Sequence, residues 1–483
     1  METFENIYFG TAFVKSGNIV KVNQRSIANE FSQTANYRYI RFTKQFEVYD
    51  SSRGIWRGLS GDEIKSRIFN FALSLRKELE SELDSELESE LELEDVCIAL
   101  TDNVLTAISR QLQCLIGIDR FPIATQRCIH LRSGMLLFDE NSGEISQTEF
   151  SPKYNSRYQL DLDYNPKAKC ERFLNELVLP MLRDKNAIEI IQLYFGQCLL
   201  RENISQTFMI LSGPASVGKS VLVNIIEKIL GEENVVEFHP ECLNNPFEMV
   251  SYSDKSLLTA KDVENDALSA NKINAIKKMT GNDLLSCEQK HSNSRIQTRG
   301  CFNIIITGNA DLTLNYGSSR DAFKRRMLWI DCVIPENFNR IKNFDDVLLN
   351  EEKEGILAWA IEGAKKLLAN GGKIIKSAEQ ERVIEYLLNE SAPIDSFVKC
   401  CVAVETDCCV TSLQVVEMFY KFANYCGWNN DSLLKLTQRQ IEQKFHQAIL
   451  RWRPGIKHST NIRQPETGKL CRGYQHCRIT IPE

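Results

Sequence analysis

Leu211-Ser-Gly-Pro-Ala-Ser-Val-Gly-Lys-Ser-Val221 contains G-x-x-x-x-G-K-S from Gly213 to Ser220. The apolar run Phe208, Met209, Ile210, Leu211 precedes it and the helix-like run Val221 to Leu230 follows. The predicted order is strand, loop, helix. Glycines at both ends let successive backbone N–H groups wrap a polyphosphate. In that reading Gly213, Pro214, Ala215, Ser216, Val217, Gly218, Lys219 and Ser220 form an ATP-binding loop. Lys219 supplies a point charge to the outer phosphates, and the Ser220 hydroxyl is offered to Mg²⁺. A chance glycine turn would lack the flanking strand and helix.

Beyond the loop, strand-like segments alternate with helices. Val235 to Phe238, Ser256 to Ala260, Phe302 to Thr307 and Met327 to Val333 read as strands, and Ala270 to Met279 as a helix. Together with the Phe208 strand they predict an α/β fold, a P-loop NTPase core of about five parallel strands. A hydrolase of this kind needs an acid for the metal's water shell and a group that orients the attacking water. Asp262 and Glu264 directly follow a strand and supply both types. Asp262 is assigned to the metal and Glu264 to the water, with the division between them left open and Lys261 standing directly before the pair. Asn309, at the tip of Ile304-Ile-Ile-Thr-Gly-Asn309, can contact a γ-phosphate or the water. In Ser318-Ser-Arg-Asp-Ala-Phe-Lys-Arg-Arg326, either Arg325 or Arg326 can reach a neighbouring subunit's γ-phosphate. A plain basic surface is the alternative.

The composition, 43% hydrophobic and 25% charged over 483 residues, is that of an ordinary soluble protein of about three domains. Net charge is −6, but Glu78 to Asp95 holds ten acidic and no basic residues, which leaves the remainder at +4. Sixteen cysteines without a leader sequence read as free thiols, and no apolar run reaches a membrane span, so a soluble intracellular protein is expected.

Residues 1–77 read as a small mixed α/β region, with alternation from Tyr37 to Val48 and a helix from Asp62 to Leu79. Residues 78–95 form an acidic linker with leucines at 79, 83, 87 and 91, read as a solvated helix. Residues 96–200 begin with α/β text, including a hairpin from His130 to Glu144, and end in a helical lead-in from Lys167 to Leu200, taken as an oligomerisation collar. The core spans 201–340, and 341–430 is helical, with helices at Lys353 to Ala369, Ala378 to Asn389 and Gln414 to Tyr425.

These residues in this order resemble the superfamily 3 helicases, ring ATPases of the AAA+ type, and most of all the helicase half of poxvirus and phage-type primase–helicases. Asn165-Pro-Lys-Ala-Lys-Cys170, Gln192 to Leu199, Lys277-Lys-Met-Thr-Gly-Asn-Asp283 and Glu354 to Gly363 are similar to that family's text. The resemblance covers roughly residues 100 to 430. It implies a further motif at Lys277 or Lys278 with Thr280, Gly281 and Asp283. It also implies a hairpin between Asp283 and Asn309 that projects into the channel of a ring, with Lys290 and His291 at its tip as DNA-binding fingers. No primase-like text stands in the first 200 residues, so a separate primase or polymerase is implied as partner.

At the C-terminal end, residues 431–483, Lys435 to Arg478 holds ten Lys/Arg against two acids, interleaved with Phe445, Trp452 and Tyr474. A helix from Gln438 to Trp452 followed by turn and strand signals predicts a winged-helix-like DNA-binding tail. The pairs Cys400-Cys401 and Cys408-Cys409 lack the C-x₂-C spacing of a zinc knuckle. The expectation is therefore an ATP- and Mg²⁺-dependent helicase, hexameric, acting on single-stranded or forked DNA in the replication of a plasmid, phage or other mobile element. The alternative is a DNA-binding initiator or partition factor that uses ATP as a switch without processive unwinding.

Overall fold

A computed structural model of the chain describes residues 12–16, 19–86, 100–122, 126–139, 142–240, 243, 248–252, 255–264, 268, 270–288, 295–309, 320–336, 341–391, 393–428, 436–463 and 468–481. It divides into two compact units, Met1–Asn165 and Pro166–Glu483. Among the described residues no helix is long and apolar enough to cross a membrane.

In the first unit the alternating run from Tyr37 becomes an antiparallel hairpin, Tyr37–Ile40 with Gln45–Asp50. Ile55–Leu59 extends it on one side and the short Gly117–Ile118 on the other. Helices Gln24–Gln33, Gly61–Glu86 and Asp102–Leu115 share a core with this sheet through Ile27, Phe31, Phe46, Val48, Ile68, Ile108 and Leu112. Of the apolar face that the helical spacing predicts, Ile64 and Ile68 are buried and Phe71 and Leu75 pack half-buried against the same core. The acidic repeat after Glu86 lies outside the described residues. A second sheet is a meander of Cys128–Leu131, Gly134–Phe138 and Ile145–Thr148, one strand more than the predicted hairpin. Inside the unit, Glu47 is buried between Arg38 Nε at 2.6 Å and Arg157 Nη2 at 2.5 Å.

The second unit is built on five parallel strands in the order Val235–Glu237, Leu257–Val263, Asn303–Gly308, Phe208–Ser212, Met327–Asp331. A parallel sheet covered on both faces needs strands that are apolar throughout. Phe208, Met209, Ile210, Ile304 and Ile306 are accordingly all fully buried. The strand that comes first in the chain lies between the fourth and the fifth, so the second to fourth strands lie on one side of it and the fifth on the other, and the strand order reverses there. In open parallel sheets ligands bind outside the carboxyl ends of strands at such a reversal.

The lead-in predicted as helical from Lys167 to Leu200 is broken in the middle. Phe173–Val178 is a π-helix, followed by one α-turn, Leu179–Met181, and then a separate helix, Ala187–Leu200. Pro180 explains the break: its ring cannot donate to, and crowds, the carbonyl one turn earlier, and a widened turn relieves the clash. Leu182 then leaves the helix and bridges to Cys332 beside the sheet. The helix Phe344–Ala369 is longer than predicted and kinks at Glu352, whose carboxylate accepts the N–H groups of Arg172 at 2.9 Å and Phe173 at 2.8 Å.

Helices Ala187–Leu200 and Phe344–Ala369 meet backbone to backbone. A methyl group on Gly363 would stand 2.0 Å from the Gln192 carbonyl oxygen, and one on Gly196 would stand 2.1 Å from the Ala364 nitrogen. Gly363→Ala thus sets two effects against each other. Helix propensity favours alanine by about 1 kcal/mol, whereas forcing a methyl against fixed backbone costs about 1–3 kcal/mol. The contact is with main chain that cannot rotate away, so overpacking wins and the thermal midpoint falls. A midpoint equal to or above the parent's in calorimetry would show that the two helices are free to separate.

Helices Pro393–Cys401, Ser412–Tyr425 and Gln438–Trp452 pack on an antiparallel sheet ordered Val402–Thr411, Leu470–Ile479, Lys457–Arg463. Phe397, Phe419, Phe422, Phe445 and Tyr474 share its core. The predicted division between a helical region at 341–430 and a tail at 431–483 therefore falls inside one packed body. The joining strand, Val402–Thr411, escapes sequence reading because its middle is half exposed and its pairing slips between Val404 and Cys409, which destroys the two-residue alternation. The predicted Gln438–Trp452 helix is present, with Thr437 and Gln440 forming a reciprocal cap at its start.

Candidate active site

The Phe208–Ser212 strand runs into the glycine-rich loop, and the helix Lys219–Leu230 leaves it. Gly213 and Gly218 take φ of +156° and +106°, and Ser216 takes +65°, conformations that turn successive N–H groups to one concave side. Both glycines are also required by space. A Cβ on Gly213 would come 2.2 Å from the Cys332 carbonyl oxygen, and one on Gly218 would come 2.9 Å from Leu177 Cδ1 in the π-helix. Pro214, Ala215 and Ser216 are exposed, Val217 is buried, and Ser220 is half-buried on the first turn of the helix. The helix N-terminus adds its partial positive charge to the same place.

Lys219 is 4% exposed. Its ammonium folds back on the loop, donating to the carbonyls of Gly213 at 2.8 Å and Pro214 at 2.6 Å. Burial pulls its pKa below the usual lysine value, while Cys332 and Asp262 act in the opposite direction. A charge held this way has neutral acceptors but no described ion pair, and an incoming polyphosphate offers it a better partner.

Three adjacent strands end around this loop. The Leu257–Val263 strand bulges after Ala260, and Asp262 takes φ of +49° with its N–H donated to Thr307 Oγ1 at 2.8 Å. That local conformation leaves the Asp262 carboxylate exposed and close enough to Lys219 to affect its protonation. Glu264 follows the strand and is exposed. Asn309 follows the middle strand and is exposed, and its carbonyl accepts from Ser212 Oγ at 3.0 Å. Lys261 belongs to a different face: its ammonium reaches Glu227 at 2.6 Å and Asn224 at 2.9 Å on the loop helix. Its presence before Asp262 therefore reflects strand-to-helix packing. Sequence reasoning passes over Asp331 at the end of the neighbouring strand, where its carboxylate lies 2.5 Å from Arg183 Nε. Burial raises the Asp331 pKa and Arg183 opposes this. A single acid after a strand carries no spacing signal that could have marked it.

The cationic helix Arg320–Arg326 is placed elsewhere. It enters the Met327–Asp331 strand at its amino end, and Met327 is in register with Phe208 at the start of the loop strand. The arginines thus lie about one strand length, roughly 16 Å, from the edge that carries the loop. Arg320 and Lys324 are paired with Glu385. Arg326 is buried, its pKa lowered by burial and by Arg325 with Asp283 opposing, and its Nε has no hydrogen-bond partner among the described residues. Arg325 is exposed and is ion-paired to no described residue. Gly281 lies against Arg326, since a Cβ there would come 3.1 Å from Arg326 Nη2. Thr280 is buried, with its hydroxyl on the Ile276 carbonyl at 2.9 Å, whereas Lys277 is half-buried and Lys278 and Asp283 are exposed.

The two arms expected between Asp283 and Asn309 pair antiparallel, Leu284–Glu288 with Arg295–Arg299. Their tip, with Lys290 and His291, lies outside the described residues. Among the described residues no three His, Cys, Asp or Glu side chains are grouped to hold a metal ion. The described cysteines are free.

The second unit is thus a mixed α/β body on a parallel sheet, with a glycine-rich loop and two exposed carboxylates at one edge. Residues 211–326, from the end of the loop strand through the cationic helix, match a family of unknown function (DUF5906). No curated protein matches the chain in sequence. Among solved structures the chain is similar to the apo form of the NrS-1 C-terminal region (305–718), at 12% identity over 95% of this chain and 99% of that one, with a TM-score of 0.47. It is also similar to the A-form apo structure of that region, at 11% identity over 95% and 99%, with a TM-score of 0.45. A likeness this distant says nothing of activity.

Proposed function

We propose that the protein is an ATP-hydrolysing DNA helicase of the superfamily 3, AAA+ type, working as a ring of identical subunits, six in number, in the replication of a mobile element. One observation carries the reading: a buried lysine in a strained glycine-rich loop faces an exposed carboxylate, with an exposed asparagine on the strand between. Polyphosphate would displace the Gly213 and Pro214 carbonyls from Lys219 and take up the N–H groups of the loop. The oxygen donors at Ser220 and Asp262 suit Mg²⁺, which would neutralise charge between the outer phosphates. Glu264 orients the attacking water, and Asn309 contacts the γ-phosphate or that water. The cationic helix sits at the opposite edge of the sheet, so Arg325 or Arg326 serves the site of an adjacent subunit rather than its own. Arg325 is the exposed member of the pair and is the better choice.

On the DNA side, the arms before Asn309 would carry Lys290 and His291 into the channel of the ring to grip one strand. The C-terminal body would hold duplex or forked DNA through the exposed Arg439, Lys444, Lys457, Arg463 and Arg472. Arg451, Arg453 and Arg478 are already engaged by Asp395, by backbone carbonyls and by Glu405. A separate primase or polymerase completes replication. The hairpin favours a motor over the alternative of an ATP-switched initiator, because a switch has no need of fingers in a channel.

The test is ATP turnover with and without single-stranded DNA. The parent protein should be stimulated by the DNA, whereas Lys290→Ala keeps its basal rate and loses the stimulation. Full stimulation in the variant would remove the hairpin from the account.

A further inference from the structure

The helix Arg320–Arg326 is only seven residues long and carries four cations against one acid, Asp321. Arg320 and Lys324 fasten its outer face to Glu385 on the helix Ala378–Ser391, and Arg320 also reaches Asn389 at 2.8 Å. Phe323 fastens its inner face, tilted against Phe208 at 5.2 Å between ring centres. Among the described residues Arg325 has no such anchor. It lines an open cavity of about 390 Å³ together with Asp321, Lys324, Ile375, Lys376 and Glu381, so side-chain packing does not fix its direction. What remains to aim it is its own backbone.

That backbone is gripped from outside the helix. The Lys376 ammonium, arriving from the segment after Gly371 and Gly372, donates to the Lys324 carbonyl at 2.7 Å and to the Arg325 carbonyl at 3.1 Å. These carbonyls lie in the last turn of the helix before the chain enters the Met327–Asp331 strand, where orphaned lone pairs let a helix end fray. A fifth cation beside four others is electrostatically unfavourable except where it meets carbonyls at the negative end of a helix. We infer that Lys376 is a positioning residue for Arg325, closing the end of the short helix so that the arginine projects in one direction toward a neighbouring subunit's nucleotide. The inference rests on the reading of Arg325 given above.

The clamp is sensitive to pH. Burial lowers the Lys376 pKa to about 8, with Glu381 raising it and Lys324 lowering it. Asp321 and Arg325 complete the charged groups around the cavity. Below about 8 the ammonium holds both carbonyls by charge-assisted bonds, and above that value a neutral amine holds them more weakly.

The experiment is DNA-stimulated ATP turnover by the full chain across this pH range, for the parent, Lys376→Met, Lys376→Arg and Arg325→Ala. The parent should lose turnover with a midpoint near 8, and Lys376→Arg should keep its turnover through that limb. Lys376→Met should lower kcat by about 10- to 100-fold, as a small misplacement of a reacting group does, with KM and the affinity for a fluorescent ADP analogue unchanged. Placed on Arg325→Ala, it should cost nothing more. Parental kcat in Lys376→Met, a loss in nucleotide affinity instead of kcat, an unchanged alkaline limb in Lys376→Arg, or an additive double variant would each overturn the positioning role while leaving the ATPase reading intact. Should Lys376→Met fail to fold, the limb and its loss in Lys376→Arg decide the matter. A parent protein without hydrolysis would overturn both readings.

Discussion

Lys219→Ala is expected to bring ATP hydrolysis to background, a loss of at least about 10²-fold in kcat, because the charge that follows the outer phosphates into the transition state is gone. The same substitution should leave the nucleotide-free fold intact. Lys219 is buried with only carbonyls for partners among the described residues, and its depressed pKa means that the folded state disfavours its charged form. For a lysine the sign is definite. Between the lowered folded pKa and the ordinary value the unfolded chain binds more protons, so stability rises with pH in that window, and the penalty is fully present below it. The alanine variant lacks this penalty, and its unliganded melting temperature should equal or exceed the parent's at neutral pH. The parent's should rise on adding an ATP analogue with Mg²⁺ and the variant's should not. A variant that melts well below the parent would show that Lys219 is a structural clamp for the loop.

Arg325→Ala is expected to lose about 10³-fold in turnover, within the range that arginines supplied across an interface contribute to phosphoryl transfer. Nucleotide affinity and melting temperature should be unchanged, since the side chain is exposed and pairs with no described residue. Arg326→Ala should do the reverse, lowering the melting temperature through the space it leaves near Gly281 and Asp283, with a smaller effect on turnover. The placement of the helix at the amino end of the sheet adds a sharper expectation. Mixing Arg325→Ala subunits with Lys219→Ala subunits should restore part of the hydrolysis, because some interfaces then pair an intact loop with an intact arginine. Mixtures as inactive as either parent variant would place the arginine's action within its own chain, or nowhere near the nucleotide.

The loop and the strands around it are legible in the sequence because local patterns specify them. A buried parallel strand is an apolar run, a tight strand-to-helix loop with positive φ demands glycines at fixed offsets, and the N-terminus of the Gln438–Trp452 helix carries its own capping pair. What stays hidden depends on distant partners. The order of the five strands puts Asp262, Asn309 and Ser212 side by side although nearly a hundred residues separate the first and last in the chain, and no local pattern encodes that adjacency. The role of Lys261 follows from Glu227 and Asn224 on another element, and until those are placed the lysine looks like a disturbance of the acidic site. Gly196 and Gly363 sit in ordinary helical text and show their purpose only where two helices touch. Arg325 and Arg326 are neighbours of identical type, and burial alone separates them. The strand Val402–Thr411 fails to declare itself because an irregular pairing hides its alternation.

Strand displacement on a forked DNA duplex, with the mass of the assembly measured on the same sample, tests the central claim most directly. The account predicts a closed ring of identical subunits that separates the strands only when ATP and Mg²⁺ are both present and not at all when Lys219 is replaced by alanine. An assembly that binds the fork and hydrolyses ATP while leaving the duplex intact would contradict the motor and leave an ATP-controlled DNA-binding switch in its place.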